Sequence, residues 1–300
     1  MPVTEIPEPA IQLPLSLEAR IYAIYPKLSP AERRFADILL EQQMNLGKRT
    51  AGELARKAGV SQSTAARLIR ALGYASYPNA KRQIRSEQHW GSPRAGLPAA
   101  KQAPSDTVSL ARMVQADIDN IQATAANIPE KTLYAVSEAL VAAKRIWIVG
   151  LRSGYGLAQH AGHYFGLIRK DVHVLSGSEP SYSRWIASME KGDLLLVVAF
   201  RRRPRLLPDI IREARKAGAV TVLITDLSAA ASANASTHVL RCRCHSPSPF
   251  NTFSAAVTLI NYLAWSVTER LGEASHARFE TIDRLVKLVD DVSLPREDRR

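Results

Sequence analysis

Apolar and polar positions follow a helical period through the N-terminal part of the chain. Over residues 17–88, apolar residues recur three or four positions apart and charged residues fill the places between them. The sequence SPAE at 29–32 places serine at an N-cap, proline at the first helical position and glutamate at the third, which is typical of a helix start. The pattern therefore predicts an all-α domain over residues 17–88.

From residue 107 onward, short apolar runs alternate with helical stretches. Five runs have the length and composition of strands: 145–150, Val172–Leu175, Leu194–Phe200, Val220–Thr225 and His238–Arg241. Helices are expected near 107–127, 131–143, 155–169, 206–217, 250–271 and 277–290. Nearly continuous apolar strands joined by helices indicate a parallel sheet covered on both faces. We expect an α/β three-layer domain over 107–272 and a C-terminal helix and tail over 273–300.

Residues 89–106 separate these two patterns and show no periodicity. The segment contains three prolines and two glycines, which interrupt regular structure: Pro93, Pro98, Pro104, Gly91 and Gly96. We interpret it as the linker between the two domains.

The composition excludes several classes of protein. Apolar residues make up 46% of the chain, enough for real cores, and no run approaches the roughly 18 apolar residues of a membrane helix. The N-terminus carries acidic residues and prolines where a secretory signal needs a basic start and an apolar block, so we expect a cytoplasmic protein. Cys242 and Cys244 fit a reducing compartment, and with His245 they supply too few ligands for a metal site.

Residues 51–70 fit a helix-turn-helix where its geometry is most restrictive. Ala55 is small at the expected crossing of the two helices, and Gly59 can take the left-handed conformation of the turn. Thr50 begins a T-x-x-E capping box for the first helix, and Ser61 caps the second. Such a motif presents the start of its second helix to the major groove of DNA.

The charge around this motif supports the same ligand. Residues 48–85 carry nine Lys and Arg against Glu53 alone, a local excess of +8, while the whole chain has a net charge of +12 and a pI near 9.9. Double-stranded DNA is therefore the expected partner. The alternative is a basic helical module that binds another protein. The candidate DNA-binding residues are Thr50, Ser61, Gln62, Ser63, Thr64, Arg67, Arg70, Lys81 and Arg82.

A second candidate site follows the first strand of the C-terminal domain. The loop contains Gly150, Arg152, Ser153 and Gly154 and leads into a helix, whose N-terminal N–H groups favour an anion. A dinucleotide site is the alternative, but the loop lacks the G-x-G-x-x-G spacing and no acidic residue ends the next strand.

These features together resemble the RpiR family of bacterial transcription regulators. The resemblance covers about residues 17–272 and includes the helix-turn-helix, the Leu72–Tyr74 segment after it, a strand ending in G-x-x-S and a later GDLLLVV strand. It implies an all-α helix-turn-helix N-terminal domain followed by an α/β SIS (sugar isomerase) domain with a parallel sheet. It also implies an effector site for a phosphorylated sugar, built from the first loop and from a Ser-x-Ser-Gly-x-Thr loop after the GD strand.

The second of those loops differs from the family pattern throughout. Residues 199–204 read AFRRRP, so the hydroxyl groups are absent, and Gly154 stands where a second serine is common. Arg201, Arg202, Arg203 and Arg205 suit phosphate or carboxylate, and Arg152 is expected to converge on the same edge of the sheet. We therefore expect an anionic effector held by Arg201 or Arg203 with Ser153. The alternatives are a charge run that faces solvent or a partner subunit, and a filled cleft in a domain that only oligomerises.

A sugar-phosphate isomerase is the enzymatic alternative. His160, His163 and Glu179 are the possible bases, but the sequence gives none of them a partner, so we expect no catalytic residue and no cofactor. Symmetric operators require symmetric proteins, which predicts a homo-oligomer, a dimer or a tetramer. The apolar faces of helices 250–271 and 277–290 are expected to complete the fold or this interface.

Overall fold

The computed structural model describes residues 17–41, 49–86, 109–175, 182–201, 203–248 and 250–289. The chain divides into two units, residues 1–95 and 96–300, and each is described by itself. The division falls inside the segment 89–106, which we interpret as a linker. That segment lies outside the described residues, as do Lys48, Glu179, Arg202 and the tail 290–300.

The described part of the first unit consists of helices around a small apolar core. The helices are α1 (Leu17–Ile24), α2 (Pro30–Glu41), α3 (Ala51–Ala58), α4 (Gln62–Ala71) and α5 (Tyr77–Ser86), with a 3₁₀ turn at Tyr25–Lys27. Helix α2 and the two helices of the motif contribute fully buried apolar side chains, among them Phe35 and Leu39 from α2, Leu54 from α3 and Leu68 from α4. Burial of the apolar stripe fixes which face of α4 is left exposed.

Local signals in the sequence define both ends of α3. Thr50 Oγ1 accepts a hydrogen bond of 3.2 Å from the Glu53 N–H, and Glu53 Oε2 accepts one of 2.8 Å from the Thr50 N–H. This confirms the predicted capping box. Gly59 ends the helix with φ 62° and ψ 41°, the left-handed conformation predicted for the turn.

The second unit contains a five-stranded parallel sheet with strand order β2-β1-β3-β4-β5. Its strands are β1 (Ile146–Leu151), β2 (Val172–Leu175), β3 (Leu194–Ala199), β4 (Val220–Thr225) and β5 (His238–Arg241). Its helices are α6 (Leu110–Asn127), α7 (Glu130–Ala142), α8 (Gly154–Ile168), α9 (Tyr182–Ser188), α10 (Leu207–Lys216), α11 (Ala230–Ala235), α12 (Ser254–Leu271) and α13 (Glu273–Val289). All five strands lie close to their predicted positions.

Apolar side chains cover both faces of the sheet. Alternate residues of β1 and β3, such as Ile148 and Leu196, pack with α8 and α12, and their neighbours Val149 and Val197 pack with α10 on the other face. Every residue of these two central strands is buried. This confirms the predicted three-layer α/β domain, because a strand buried on both sides reads as an unbroken apolar run.

Two short helices of the second unit were not predicted. Helix α11 has the sequence AASANA, which carries no apolar period, and α9 is only seven residues long. Helix α13 begins at Glu273 rather than near 277, because Gly272 ends α12 with φ 53° and the chain turns directly into the next helix.

Candidate DNA-binding face and effector site

Helix α4 exposes one polar face. It buries Ala65, Leu68 and Ile69 and leaves its other side accessible, so the exposed residues recur at helical spacing: Gln62, Ser63, Ala66, Arg67 and Arg70. Ala66 is small, which leaves the longer side chains around it unobstructed. The face carries polar and cationic groups of the kind that read base edges and phosphates.

Three hydroxyl groups cluster at the start of α4. Ser61 Oγ accepts the Thr64 N–H at 3.1 Å, as the predicted N-cap requires, and lies 2.8 Å from Ser63 Oγ and 2.9 Å from Thr64 Oγ1. Hydroxyl groups donate as well as accept, and the helix terminus adds unpaired N–H groups. This end of the helix therefore suits a phosphate or the acceptor edge of a base.

Arg67 contacts the carboxylate of Glu32, the residue that the sequence predicts only as part of a helix cap. Its Nε lies 2.9 Å from Glu32 Oε1, and the Arg67 side chain is 65% exposed while that of Glu32 is 14% exposed. Hydrogen bonds from the Ser29 hydroxyl and N–H, followed by the contact with Arg67, lower the pKa of Glu32 to about 2. Glu32 therefore stays ionised beside the arginine.

Other predicted residues surround α4 as a basic rim. Lys81 Nζ donates to the Arg49 carbonyl oxygen at 3.3 Å, and Tyr77, which the sequence analysis had not selected, donates its hydroxyl to the same oxygen at 3.2 Å. Arg82 is exposed on α5. Thr50 is engaged in its capping box, so its side chain contributes to the site mainly by fixing the start of α3.

In the second unit, the first candidate loop lies between β1 and α8. Arg152 has φ 55°, a left-handed conformation that is uncommon outside glycine, and Ser153 is the N-cap of α8. Both residues are exposed, and the Ser153 hydroxyl makes no capping hydrogen bond to the helix. Two polar side chains are thus presented at the N-terminus of a 15-residue helix.

The glycines of this loop are required by close packing. Gly150 pairs with Val198 across β1 and β3, and the start of α8 lies over this pair. A Cβ added to Gly154 would overlap the Val198 carbonyl oxygen, and one added to Gly150 would overlap the Gly154 carbonyl oxygen. The absence of a serine at 154 therefore follows from the approach of α8 to β3.

Arg203 is engaged by an internal acid at the C-terminal edge of the sheet. Its Nη1 donates to Asp226 Oδ2 at 2.8 Å and its Nη2 donates to Ser228 Oγ at 2.7 Å, and the two charged side chains are 12% and 4% exposed. Burial by itself would raise the pKa of Asp226, but the charges of Arg203 and Arg201 and the hydrogen bonds from Ser228 hold it below its ordinary value. Arg203 thus neither belongs to a solvated charge run nor is free for an effector in this arrangement.

Two residues that precede Arg203, Phe200 and Arg201, are also shielded from solvent. Desolvation lowers the pKa of Arg201 to about 10, although Asp226 acts in the opposite direction. The Phe200 ring contacts that of Phe253 with centroids 4.9 Å apart. Arg205 remains exposed. Asp226 was not predicted from the sequence, where its only signal is its position directly after β4 at the same edge of the sheet.

The remaining candidates do not form a reactive constellation in the part of the chain that the structure describes. His160 Nε2 lies 2.8 Å from Asn261 Oδ1, and His163 is exposed beside Tyr164. The described residues contain no group of His, Cys, Asp and Glu arranged to hold a metal ion. Burial raises the pKa of the Cys242 thiol, which is free. Among the described helices none is long and apolar enough to cross a membrane.

Comparison with known proteins identifies the class as helix-turn-helix transcriptional regulators with an SIS domain. The family model described as the helix-turn-helix domain of the rpiR family matches residues 15–89, and the SIS domain model matches residues 139–266. The two matches cover most of the chain and confirm the resemblance drawn from the sequence. The N-terminal domain is thus a helix-turn-helix domain of the rpiR family, and the C-terminal domain is an SIS domain.

Relatives along most of the chain are also regulators. The HTH-type transcriptional regulator HexR of Pseudomonas aeruginosa is 27% identical over 254 residues, which cover 82% of this chain and 87% of HexR. The uncharacterized HTH-type transcriptional regulator YbbH of Bacillus subtilis is 23% identical over 210 residues, 70% of this chain and 74% of YbbH.

Solved structures share the fold. The Vibrio vulnificus NanR protein complexed with ManNAc-6P superposes with a TM-score of 0.56 at 21% identity, over 91% of this chain and 99% of NanR. The sugar isomerase domain of an RpiR transcription factor from Sphaerobacter thermophilus gives a TM-score of 0.55 at 22% identity, over 58% of this chain and 98% of that domain. A putative sugar-phosphate isomerase from Listeria monocytogenes gives a TM-score of 0.52 at 16% identity, over 62% of this chain and 100% of the isomerase.

Proposed function

We propose that this chain is a sequence-specific DNA-binding transcriptional regulator whose SIS domain binds an anionic metabolite, a phosphorylated sugar or a related acid. The observation that carries the DNA-binding half is the exposed face of α4. Gln62, Ser63 and Arg67 lie on the accessible side of a capped helix whose opposite side is the core of its unit. Gln suits adenine and Arg suits guanine, while Arg70, Lys81 and Arg82 supply phosphate attraction.

The effector half of the proposal rests on the loop after β1. Arg152 and Ser153 are exposed at the N-terminus of α8, where a negatively charged group is favoured. Because Arg203 is paired with Asp226, we assign the ligand contacts to the exposed Arg152 and Ser153 and give Arg203 the role of shaping the edge. The ManNAc-6P complex of NanR makes a sugar phosphate the first ligand to try.

We further propose that the domain has no catalytic activity and that the chain is a cytoplasmic dimer or tetramer. The relatives named above are regulators, which supports the absence of catalytic activity. The alternative is a sugar-phosphate isomerase, because a putative enzyme of that kind shares the fold. Exposed aromatic residues on α12, Tyr262 and Trp265, the latter 65% exposed, support an interface between copies. Sedimentation of the full chain tests the oligomeric state, and a monomer at micromolar concentration would contradict it.

Selection of bound fragments from the source genome tests the DNA-binding half. We expect enrichment of sites with two-fold symmetry, because an oligomer of helix-turn-helix units reads paired half-sites. An Arg67→Ala chain tested in parallel should lose preference at one base-pair position, whereas Lys81→Ala should weaken binding to all fragments alike. Equal recovery of all fragments by the wild-type chain would contradict the proposal.

A thermal-shift screen tests the effector half. The panel contains ManNAc-6P, hexose and pentose phosphates and small carboxylates, and a ligand at 100 times its Kd stabilises the folded chain by about 2.7 kcal/mol. The shift should disappear in Arg152→Ala and Ser153→Ala. A shift that survives in both variants would place the ligand elsewhere, and turnover of any panel member would favour the isomerase alternative.

A further inference from the structure

We infer that Glu32, on α2, is a positioning residue for base recognition by Arg67, on α4. The inference rests on the proposed function, since it concerns how the DNA-binding face achieves its specificity. Glu32 lies 35 positions before Arg67 and outside the recognition helix, yet its Oε1 is 2.9 Å from the Arg67 Nε.

The contact with Glu32 leaves the terminal Nη groups of Arg67 available to bind a base. In the part of the chain that the structure describes, Glu32 is the single hydrogen-bonding partner of Arg67, and it engages Nε alone. The Arg67 side chain is 65% exposed, and among the described residues no acceptor engages its two terminal Nη groups. Guanine presents O6 and N7 to such a pair of donors in the major groove. A guanidinium held at Nε therefore offers its Nη pair in a fixed orientation.

Glu32 is itself held in place from the other side. Its Oε2 accepts the Ser29 N–H at 3.0 Å and the Ser29 hydroxyl at 2.6 Å, at the N-cap of α2. The carboxylate is mostly buried, and its pKa of about 2 keeps it charged throughout the physiological range. One carboxylate thus connects the start of α2 to the arginine. The contact lowers the conformational entropy that the Arg67 side chain loses when it binds a base.

The negative charge of Glu32 has a second, opposite effect on binding. It lies beside a face built for a polyanion, so it weakens the attraction of every DNA sequence equally. Positioning, by contrast, strengthens binding at the base pair that Arg67 contacts. Removal of the charge should therefore increase non-specific affinity and decrease discrimination, whereas a purely structural role would not separate these two quantities.

The test measures the affinity of the full chain for the genomic site that the wild-type protein selects. The same affinity is measured for variants of that DNA site that carry each base substitution at each position. Glu32→Gln is the informative variant, because glutamine also serves in a capping box but has only one acceptor oxygen. When that oxygen accepts from Ser29, as Glu32 Oε2 does, the NH2 group faces Arg67 and cannot accept from its Nε. Glu53→Gln is the matched control: it removes one charge from the capping box of α3, and the Glu53 carboxylate bonds Thr50 rather than an arginine of α4. Thermal unfolding verifies that both variants fold.

We expect Glu32→Gln to lose discrimination at the position that Arg67→Ala also affects, by a factor of about 5 to 150, the range of one bidentate base contact. In the Arg67→Ala background, Glu32→Gln should cause no further loss at that position. Glu53→Gln should raise non-specific affinity to a similar extent and leave base preference unchanged.

Three outcomes overturn the inference, and only one of them also overturns the proposed function. Unchanged discrimination in Glu32→Gln overturns it alone, as does a loss that persists in the Arg67→Ala background. Failure of the wild-type chain to select any site overturns the proposed function and the inference with it.

Discussion

The Arg203 guanidinium and the Asp226 carboxylate form a buried ion pair, 2.8 Å long, between the ends of β3 and β4. Ser228 hydrogen-bonds both members, donating its N–H to Asp226 and accepting from Arg203. The loop that replaces the hydroxyl-rich loop of the family is thereby held against the sheet. One arginine of a segment that suggests a strong anion site in the sequence is thus paired with an acid that directly follows the neighbouring strand.

Loss of this arginine should destabilise the chain. Arg203→Ala leaves Asp226 buried without its partner, and breaking a buried ion pair from one side costs about 3–5 kcal/mol. Urea unfolding followed by circular dichroism measures the change. The control is Arg205→Ala, two positions along the same loop and exposed, for which we expect a change within about 0.5 kcal/mol. Equal effects of the two substitutions would show that the pair does not stabilise the fold.

The same pair predicts a dependence of stability on acid. The pKa of Asp226 is lower in the folded chain than its ordinary value, so its contribution is fully present above the unfolded pKa, about 4, and is lost as the pH falls through the lower folded pKa. Asp226→Asn should flatten the fall in stability below pH 4. Unfolding free energies measured from pH 7 to pH 2 test this, and parallel curves for the two chains would contradict it.

Gly154→Ser, which restores the residue common in the family, should destabilise the second unit. The new side chain would overlap the Val198 carbonyl oxygen, and forcing extra atoms into a packed region costs about 1–3 kcal/mol. Gly156→Ser is the control, because a Cβ at that position meets no atom within 4 Å. Calorimetric unfolding of both variants decides the point. Comparable Tm values for Gly154→Ser and the wild type would mean that α8 can move away from β3.

Gly59→Ala should destabilise the first unit through its backbone alone. The added Cβ has open space around it, but φ 62° costs an L-residue about 1–2 kcal/mol. Gly59→Asn should lose less, since asparagine tolerates this conformation. Thermal unfolding of the two variants gives the order, and an alanine variant as stable as the wild type would contradict the assigned turn.

Features that depend on neighbouring residues in the chain were predictable from the sequence. The capping box at Thr50, the left-handed Gly59 and the strands of the sheet are set by local chemistry and by apolar period. The Glu32–Arg67 and Arg203–Asp226 pairs join residues 35 and 23 positions apart. No local pattern specifies which acid faces which arginine, so the sequence indicated the charges without their pairing.

The contact between Glu32 and Arg67 also bears on how operator preference can be transferred between regulators of this architecture. A graft that exchanges only residues 62–71 carries the reading side chains but leaves the carboxylate that orients one of them in the recipient's α2. Such a chimaera would carry the base-contacting side chains of the donor, but their orientation would be set by α2 of the recipient. Under the inferred role of Glu32, the transferable unit of specificity is α4 together with the Ser29–Glu32 turn at the start of α2.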